Sequence, residues 1–230
     1  MRLTPRLQVI ADYVKKNSIV ADIGTDHGYI PVYLIETDIC DRVIATDINK
    51  GPLENAESYI KKKGFDNNID TRLGDGLCPI KPNEVDTLII AGMGGLLMIE
   101  ILEKSKDVAK STHNFILQPM VASDELRRYL CNNGYRIVDE KLAKESDKIY
   151  EIIYAKHGKE NIEKDVYFEI GKKLIENKDQ YLSEFIRRKI DKLEKILSNL
   201  EDKDSANGKE RYEDIKIKYN DLQEVYNSIC

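Results

Sequence analysis

The stretch Val20-Ala21-Asp22-Ile23-Gly24-Thr25-Asp26-His27-Gly28-Tyr29-Ile30-Pro31 decides the fold. An apolar run ends in an acidic residue, a glycine-bearing turn follows, and a helix begins. This is the first strand-turn-helix of a doubly wound sheet, where ligands sit beyond the carboxyl ends of the strands. Gly24 and Gly28 let the backbone turn sharply and approach a ligand closely. The pattern departs from the dinucleotide fingerprint G-x-G-x-x-G: Asp26 stands at its middle glycine and Tyr29 at its third. A pyrophosphate needs backbone N–H groups and positive potential at this helix start, and an aspartate there repels it. S-adenosyl-L-methionine carries a sulfonium and an α-ammonium and no phosphate, so a carboxylate at Asp22 or Asp26 is tolerable or favourable. The loop therefore argues for a methyl donor over NAD, FAD or ATP.

Outward from this loop the same architecture continues. Ser18 to Ile23, Arg42 to Asp47, Ile69 to Leu73, Val85 to Ile90 and Asn114 to Leu117 read as strands. Ile30 to Thr37, Pro52 to Lys63, Leu96 to Lys106 and Ala122 to Asn132 read as the helices between them. Such alternation predicts an α/β fold with a parallel sheet covered on both faces. Tyr135 to Val138 and Ile149 to Ala155 read as two more strands in direct succession, an antiparallel excursion at one edge. Leu7, Ile10, Ala11 and Val14 recur at helical spacing, so an extra helix over Pro5 to Lys16 precedes the first strand.

Two later carboxylates fit the same donor. Asp47 ends the second strand, 23 positions beyond Gly24, where an acidic side chain accepts from ribose hydroxyls. Asp75 follows the third strand in Leu73-Gly74-Asp75-Gly76, placed to accept from an adenine amino group. The fourth strand runs into Ala91-Gly92-Met93-Gly94-Gly95, a glycine loop with room for a planar base. Gln118-Pro119-Met120 follows the fifth and borders the same crevice. The predicted donor-binding set is Asp22, Gly24, His27, Gly28, Asp47, Ile48, Asp75, Gly76, Gly92 and Met93.

After His157-Gly158 the pattern changes, giving two domains, 1–158 and 159–230. From Glu160 onward there is no proline. Ile186, Ile190, Leu193, Leu197 and Leu200 repeat at steps of four and three, as do Tyr212, Ile215, Tyr219, Leu222, Tyr226 and Ile229. Glu201 to Lys209, with Asp204, Ser205, Asn207 and Gly208, has the composition of a loop between them. The expectation is a C-terminal antiparallel coiled-coil hairpin, either structural or an interaction element.

Composition sets bounds. The 230 residues, 41% hydrophobic and 33% charged, suit a globular α/β domain with an appendage. Met1 to Arg6 lacks the apolar core of a signal peptide, and no stretch approaches membrane-spanning length. Cys40, Cys78, Cys131 and Cys230 are scattered without a Cys-x-x-Cys, so neither a metal nor a disulfide framework is expected and the cytoplasm is the natural setting. A net charge of −5 is unhelpful for binding phosphates, although a local basic face suffices. Arg2 with Arg6, Lys61 to Lys63, Arg127 with Arg128, Lys172 with Lys173, and Arg187 to Lys189 are the candidates. Each is otherwise a solvated helix face.

The run Asp22 to Pro31, with Ala91-Gly92-Met93-Gly94-Gly95 and Leu117-Gln118-Pro119-Met120, resembles the bacterial tRNA adenine-N1 methyltransferase family TrmK. The resemblance covers the whole chain, from Thr4-Pro5-Arg6-Leu7 to the helical hairpin. Family members commonly carry Ser at the position of Thr25 and Ala at that of Gly28, small-for-small differences. The resemblance implies a Rossmann-like class I methyltransferase sheet with a coiled-coil C-terminal domain. It also implies S-adenosyl-L-methionine as cofactor, tRNA as partner, and methylation of adenine 22 in the D-arm region. On that reading Asp26 is the catalytic candidate, near the adenine N6 amino group. His27 orients donor or base, and Tyr29 either stacks on one of them or faces the core. Arg6, Tyr29, Gly94, Gln118, Lys172, Arg187 and Arg188 are the candidates for substrate contact. Two other readings stay open: methylation of another RNA base or a small molecule, and a tRNA-binding scaffold without catalysis.

Overall fold

The computed structural model describes residues 1–200 and 206–229. The chain divides into two compact units, Met1–Asn161 and Ile162–Cys230.

In the first unit seven strands form one mixed sheet in the order β3-β2-β1-β4-β5-β7-β6. They are β1 Val20–Ile23, β2 Val43–Asp47, β3 Ile69–Leu73, β4 Thr87–Met93, β5 Asn114–Pro119, β6 Tyr135–Glu145 and β7 Lys148–His157. The first five are parallel, and β7 joins β5 and β6 antiparallel. Every residue of β1, β2 and β5 is buried, as expected for strands with helices on both faces. Chain order reverses between β1 and β4, so a crevice opens at their carboxyl ends.

Two apolar clusters lie on opposite faces of the sheet. One joins Ala21, Ile23, Leu88, Ile90, Phe115 and Leu117 to helix α4 (Gly95–Lys104) and helix α6 (Ser123–Asn132) through Met98, Leu102, Leu126 and Leu130. The other joins Val20, Val43, Ala45, Ile89 and Ile116 to helices α1 (Pro5–Asp12), α2 (Tyr29–Glu36) and α3 (Lys50–Lys63). Alternate residues of each strand supply the two clusters, the period-two rule of a β-strand.

The structure revises several sequence expectations. The helix expected from Leu96 to Lys106 breaks at Ser105 into α4 and a short α5 (Lys106–Ser111). Strand β4 runs on to Met93, with a register shift against β5 between Ala91 and Met93. The expected glycine loop is therefore a strand end with a bulge at Gly92, followed directly by α4 at Gly95. Strands β6 and β7 extend to 11 and 10 residues because they pair with each other along nearly their whole length.

The second unit contains α7 (Val166–Ile170), α8 (Lys172–Glu176), α9 (Leu182–Leu200) and α10 (Ala206–Ile229). The first two were not foreseen, being too short to show a period. Ile186, Ile190, Leu197 and Leu200 are buried on α9, and Leu222 with Val225 on α10. The two helices pack together, with the Tyr219 hydroxyl donating to Glu194 Oε1 at 3.0 Å. The loop expected over 201–209 is helical from Ala206 onward; 201–205 lie outside the described residues. No described helix is long and apolar enough to cross a membrane.

Candidate active site

Two adjoining hollows form the crevice at the strand ends. One, of about 260 Å³, is lined by Gly24, Thr46, Asp47, Ile48, Asn49, Asp75, Gly76, Gly92, Met93 and Leu97. The other, of about 450 Å³, is lined by Thr4, Arg6, Asp22, Thr25, Asp26, His27, Gly28, Tyr29, Met120 and Glu145. Gly24, Ala91 and Gly92 border both.

The shared wall is built by backbone bonds. The N–H groups of Gly24 and Thr25 donate to Thr46 O at 2.8 and 2.9 Å, tying the first turn to the end of β2. Gly24 sits at φ +77°, and a Cβ there would fall 2.3 Å from Met93 Cε. Both the conformation and the space thus require glycine. Gly28, at φ +66°, is the residue from which α2 starts.

The carboxylates differ in environment. Asp22 is buried, and that burial pushes its carboxyl up to about 6. The neighbouring Thr25 hydroxyl tempers the rise and the charge of Asp47 adds to it. Thr25 Oγ1 is itself buried and completes no hydrogen bond within normal geometry, and neither does Thr46 Oγ1. Each belongs to a residue lining one of the hollows, the pattern of polar atoms awaiting a ligand. Asp47 is buried at the end of β2; its Oδ1 accepts the Asn49 N–H at 2.7 Å, leaving the other oxygen for a partner in the crevice. Asp75 is exposed and its carboxylate is engaged by Lys104. Asp26 stands at the crevice mouth, its side chain 70% exposed, with Oδ2 3.3 Å from His27 Nε2. His27 and Tyr29 rings lie 5.2 Å apart, and Tyr29 meets Tyr59 edge-on at 5.4 Å. Tyr29 is 42% exposed, so it faces the crevice mouth and not the core.

Arg6 and Gln118 meet across 112 residues of sequence. Gln118 is fully buried; its Oε1 accepts from Arg6 Nη1 at 2.8 Å and from the Gly92 N–H at 3.1 Å, and its Nε2 donates to Pro119 O at 2.9 Å. The carboxamide thus satisfies the N–H that the bulge in β4 removes from the ladder. Gln118 was expected to contact substrate and instead lies behind the crevice wall. Arg6 lines the crevice, with its guanidinium 5.1 Å over the Tyr150 ring and its backbone N–H donating to Glu145 Oε1. Gly94 is covered by Val121, whose Cγ2 is 3.5 Å from where a Cβ would stand.

Several cations of the expected basic patches are engaged by carboxylates. Arg127 is buried between two carboxylates, donating to Glu140 Oε1 at 2.7 Å and Glu151 Oε2 at 2.6 Å. It is a core ion cluster joining α6 to the β6–β7 pair and presents no charge to a phosphate. In the second unit Lys172 pairs with Glu163, Arg187 with Asp191 and Arg188 with Glu184.

The donor candidates Asp22, Gly24, His27, Gly28, Asp47, Ile48, Asp75, Gly76, Gly92 and Met93 all line the crevice. Sequence reasoning missed Thr46, Asn49, Leu97 and Glu145. The first two adjoin Asp47 and were within reach of the strand-end argument; Leu97 and Glu145 reach the crevice only through the tertiary fold. Among the described residues no group of His, Cys, Asp and Glu side chains could hold a metal ion.

Residues 3–153 match the family described as "Methyltransferase domain". The tRNA (adenine(22)-N(1))-methyltransferase of Bacillus subtilis is 38% identical over 158 residues, 69% of this chain and just under two thirds (66%) of that protein. The crystal structure of the B. subtilis m1A22 tRNA methyltransferase TrmK superposes with a TM-score of 0.91 at 30% identity, covering 98% of this chain and 99% of that one. M. capricolum TrmK, solved with the cofactor product S-adenosyl-homocysteine, gives 0.86 at 28% identity over 100% of both chains. Sheet order, crevice position and these likenesses agree, and the chain belongs to the TrmK family of methyltransferases.

Proposed function

We propose that the protein transfers a methyl group from S-adenosyl-L-methionine to N1 of adenine 22 in tRNA. The observation that carries this is the crevice itself: buried carboxylates at the ends of β1 and β2, with the buried Thr25 and Thr46 hydroxyls beside them and a carboxylate, Asp26, where a pyrophosphate site has glycine. These residues suit a cationic amino acid joined to a nucleoside. Asp47 takes the ribose hydroxyls and the Asp22 end takes the α-ammonium. Ile48, Gly76, Gly92 and Met93 border the nucleoside, and Asp75 reaches an adenine amino group when it leaves Lys104. The bound donor supplies an electrophilic methyl on a sulfonium.

Adenine N1 carries a lone pair and no proton, so no residue has to act as a base before attack. The residues instead position the base and stabilise the positive charge that forms on it. Asp26, at the mouth beside His27, supplies a carboxylate near the N6 amino group, and Tyr29 offers a face on which the base stacks. N1 lies on the Watson–Crick edge, so the nucleotide has to leave its stack.

The 1–158 region is the methyltransferase domain in this reading. The 159–230 region is a helical domain in which α9 and α10 form an antiparallel coiled-coil hairpin that contacts tRNA. Exposed ion pairs such as Arg187–Asp191 are worth about 0–1 kcal/mol, so a phosphate can replace the carboxylate at little cost. The same holds for Lys172 and Arg188. A cytoplasmic setting follows from the substrate.

The test is methyl transfer by the purified protein to bulk tRNA and, separately, to rRNA, with the modified position mapped by mass spectrometry. N1-methyladenosine at position 22 of tRNA is expected. Methylation of rRNA alone, or donor binding without transfer, refutes the proposal.

A further inference from the structure

The crevice has an apolar prong. Val121 is 67% exposed and Met120 46%, while Leu96 and Leu97 beside them are 56% and 47% exposed. Met120 lines the hollow that holds Asp26 and Tyr29, and Leu97 lines the other. Met120 thus makes the cluster continuous with the site and shares a hollow with His27 and Tyr29.

This prong is rigid. Met120 N–H donates to Met93 O and Gly95 N–H to Val121 O, both at 2.8 Å, zipping the end of β5 to the end of β4. Ala122 sits at φ +55°, a left-handed conformation rare outside glycine, asparagine and aspartate. Its carbonyl oxygen lies where a Cβ on Gly95 would be only 2.2 Å away. Behind it Ser123 Oγ donates to Glu151 Oε1 at 2.8 Å, and Glu151 is held by Arg127. A strained backbone fixed from both sides, with its two outermost side chains apolar and in solvent, is a feature in want of a function.

We infer that Val121, supported by Met120, is a wedge that enters the base stack of the RNA and fills the gap left by the target nucleotide. The inference rests on the tRNA adenine reading above. Extruding a base costs its stacking energy, and apolar side chains inserted between base steps recover part of it. The work is then divided: the His27–Tyr29 face receives the base and the prong keeps its place in the stack closed. The occupant is therefore the stacked RNA flanking the target, held by apolar contact and not by charge.

The experiment uses the full-length protein, S-adenosyl-homocysteine and tRNA carrying 2-aminopurine next to the methylated position, whose fluorescence rises when the neighbouring base leaves the stack. Wild type should give the rise. Val121→Ser and Met120→Ala should lose most of it, Val121→Leu should keep it, and circular dichroism should show all folded. Single-turnover methylation of unsubstituted tRNA should fall roughly ten- to a hundredfold in Val121→Ser, the scale of an unrecovered unstacking cost, with donor affinity unchanged. An undiminished fluorescence rise and rate in Val121→Ser would overturn the wedge while leaving the methyltransferase reading intact. Failure of the wild-type protein to methylate adenine N1 in tRNA would overturn both.

Discussion

Removing the charge of Asp22 should stabilise the empty protein and weaken its hold on the donor. Asp22 lies buried near the end of β1, and its carboxyl is raised from 3.8 to about 6 with burial as the main cause. The folded state therefore binds a proton that the unfolded chain has already released between about pH 4 and pH 6. Stability is fully present below the unfolded value and is lost as pH rises through the folded one. Moving from 3.8 to about 6 is worth roughly 3 kcal/mol. Asp22→Asn has no charge to desolvate. Urea unfolding should show wild type and variant alike near pH 4, with the variant ahead by up to about 3 kcal/mol above pH 7. Calorimetry with S-adenosyl-L-methionine should show the reverse. Wild-type affinity should rise about tenfold per pH unit up to about 6 and then level, because the donor's ammonium pairs with the ionised form. The variant should be weaker and flat with pH. Equal stability of the two proteins at pH 8, or a wild-type affinity independent of pH between 5 and 7, would refute the reasoning.

Three further outcomes are expected. Asp47→Ala should lower donor affinity by the roughly 1.5–3 kcal/mol typical of a hydrogen bond to a charged acceptor, read by calorimetry on the folded variant; unchanged affinity would mean that the end of β2 does not hold the ribose. Asp26→Asn should slow single-turnover methylation of saturating tRNA by roughly ten- to a thousandfold with donor affinity held, whereas collapse of affinity at a normal rate would make Asp26 a donor ligand. Gly95→Ala should destabilise the protein by roughly 1–3 kcal/mol, because its Cβ meets the Ala122 carbonyl at 2.2 Å and only backbone can yield; a melting temperature equal to wild type would show that the β4–α4 and β5–α6 junctions separate freely.

What the sequence determined by itself is local. The run Val20 to Pro31 carries its own geometry, because a buried strand, a glycine at positive φ and a helix start lie within twelve residues. That Asp22, Asp26 and Asp47 line the crevice was legible for a related reason: in a parallel sheet the strand ends and the turns after them gather at one edge. The helices α9 and α10 were legible from their period. Tertiary structure decided what depends on partners distant in the chain. Arg127 and Arg128 read alike as surface charge, yet Arg127 is enclosed by Glu140 and Glu151, and no local pattern announces a buried ion cluster. Gln118 looked like a crevice residue until Arg6 and the Gly92 bulge took up its carboxamide. Asp75 proved to be held by Lys104, and Lys172, Arg187 and Arg188 by neighbouring carboxylates. The fold also gathered Met120, Val121, Leu96 and Leu97 into one prong, from segments that meet only because β4 and β5 are neighbours. Periodicity reports which side of an element is buried; it does not report what that side, or the turn at its end, will face.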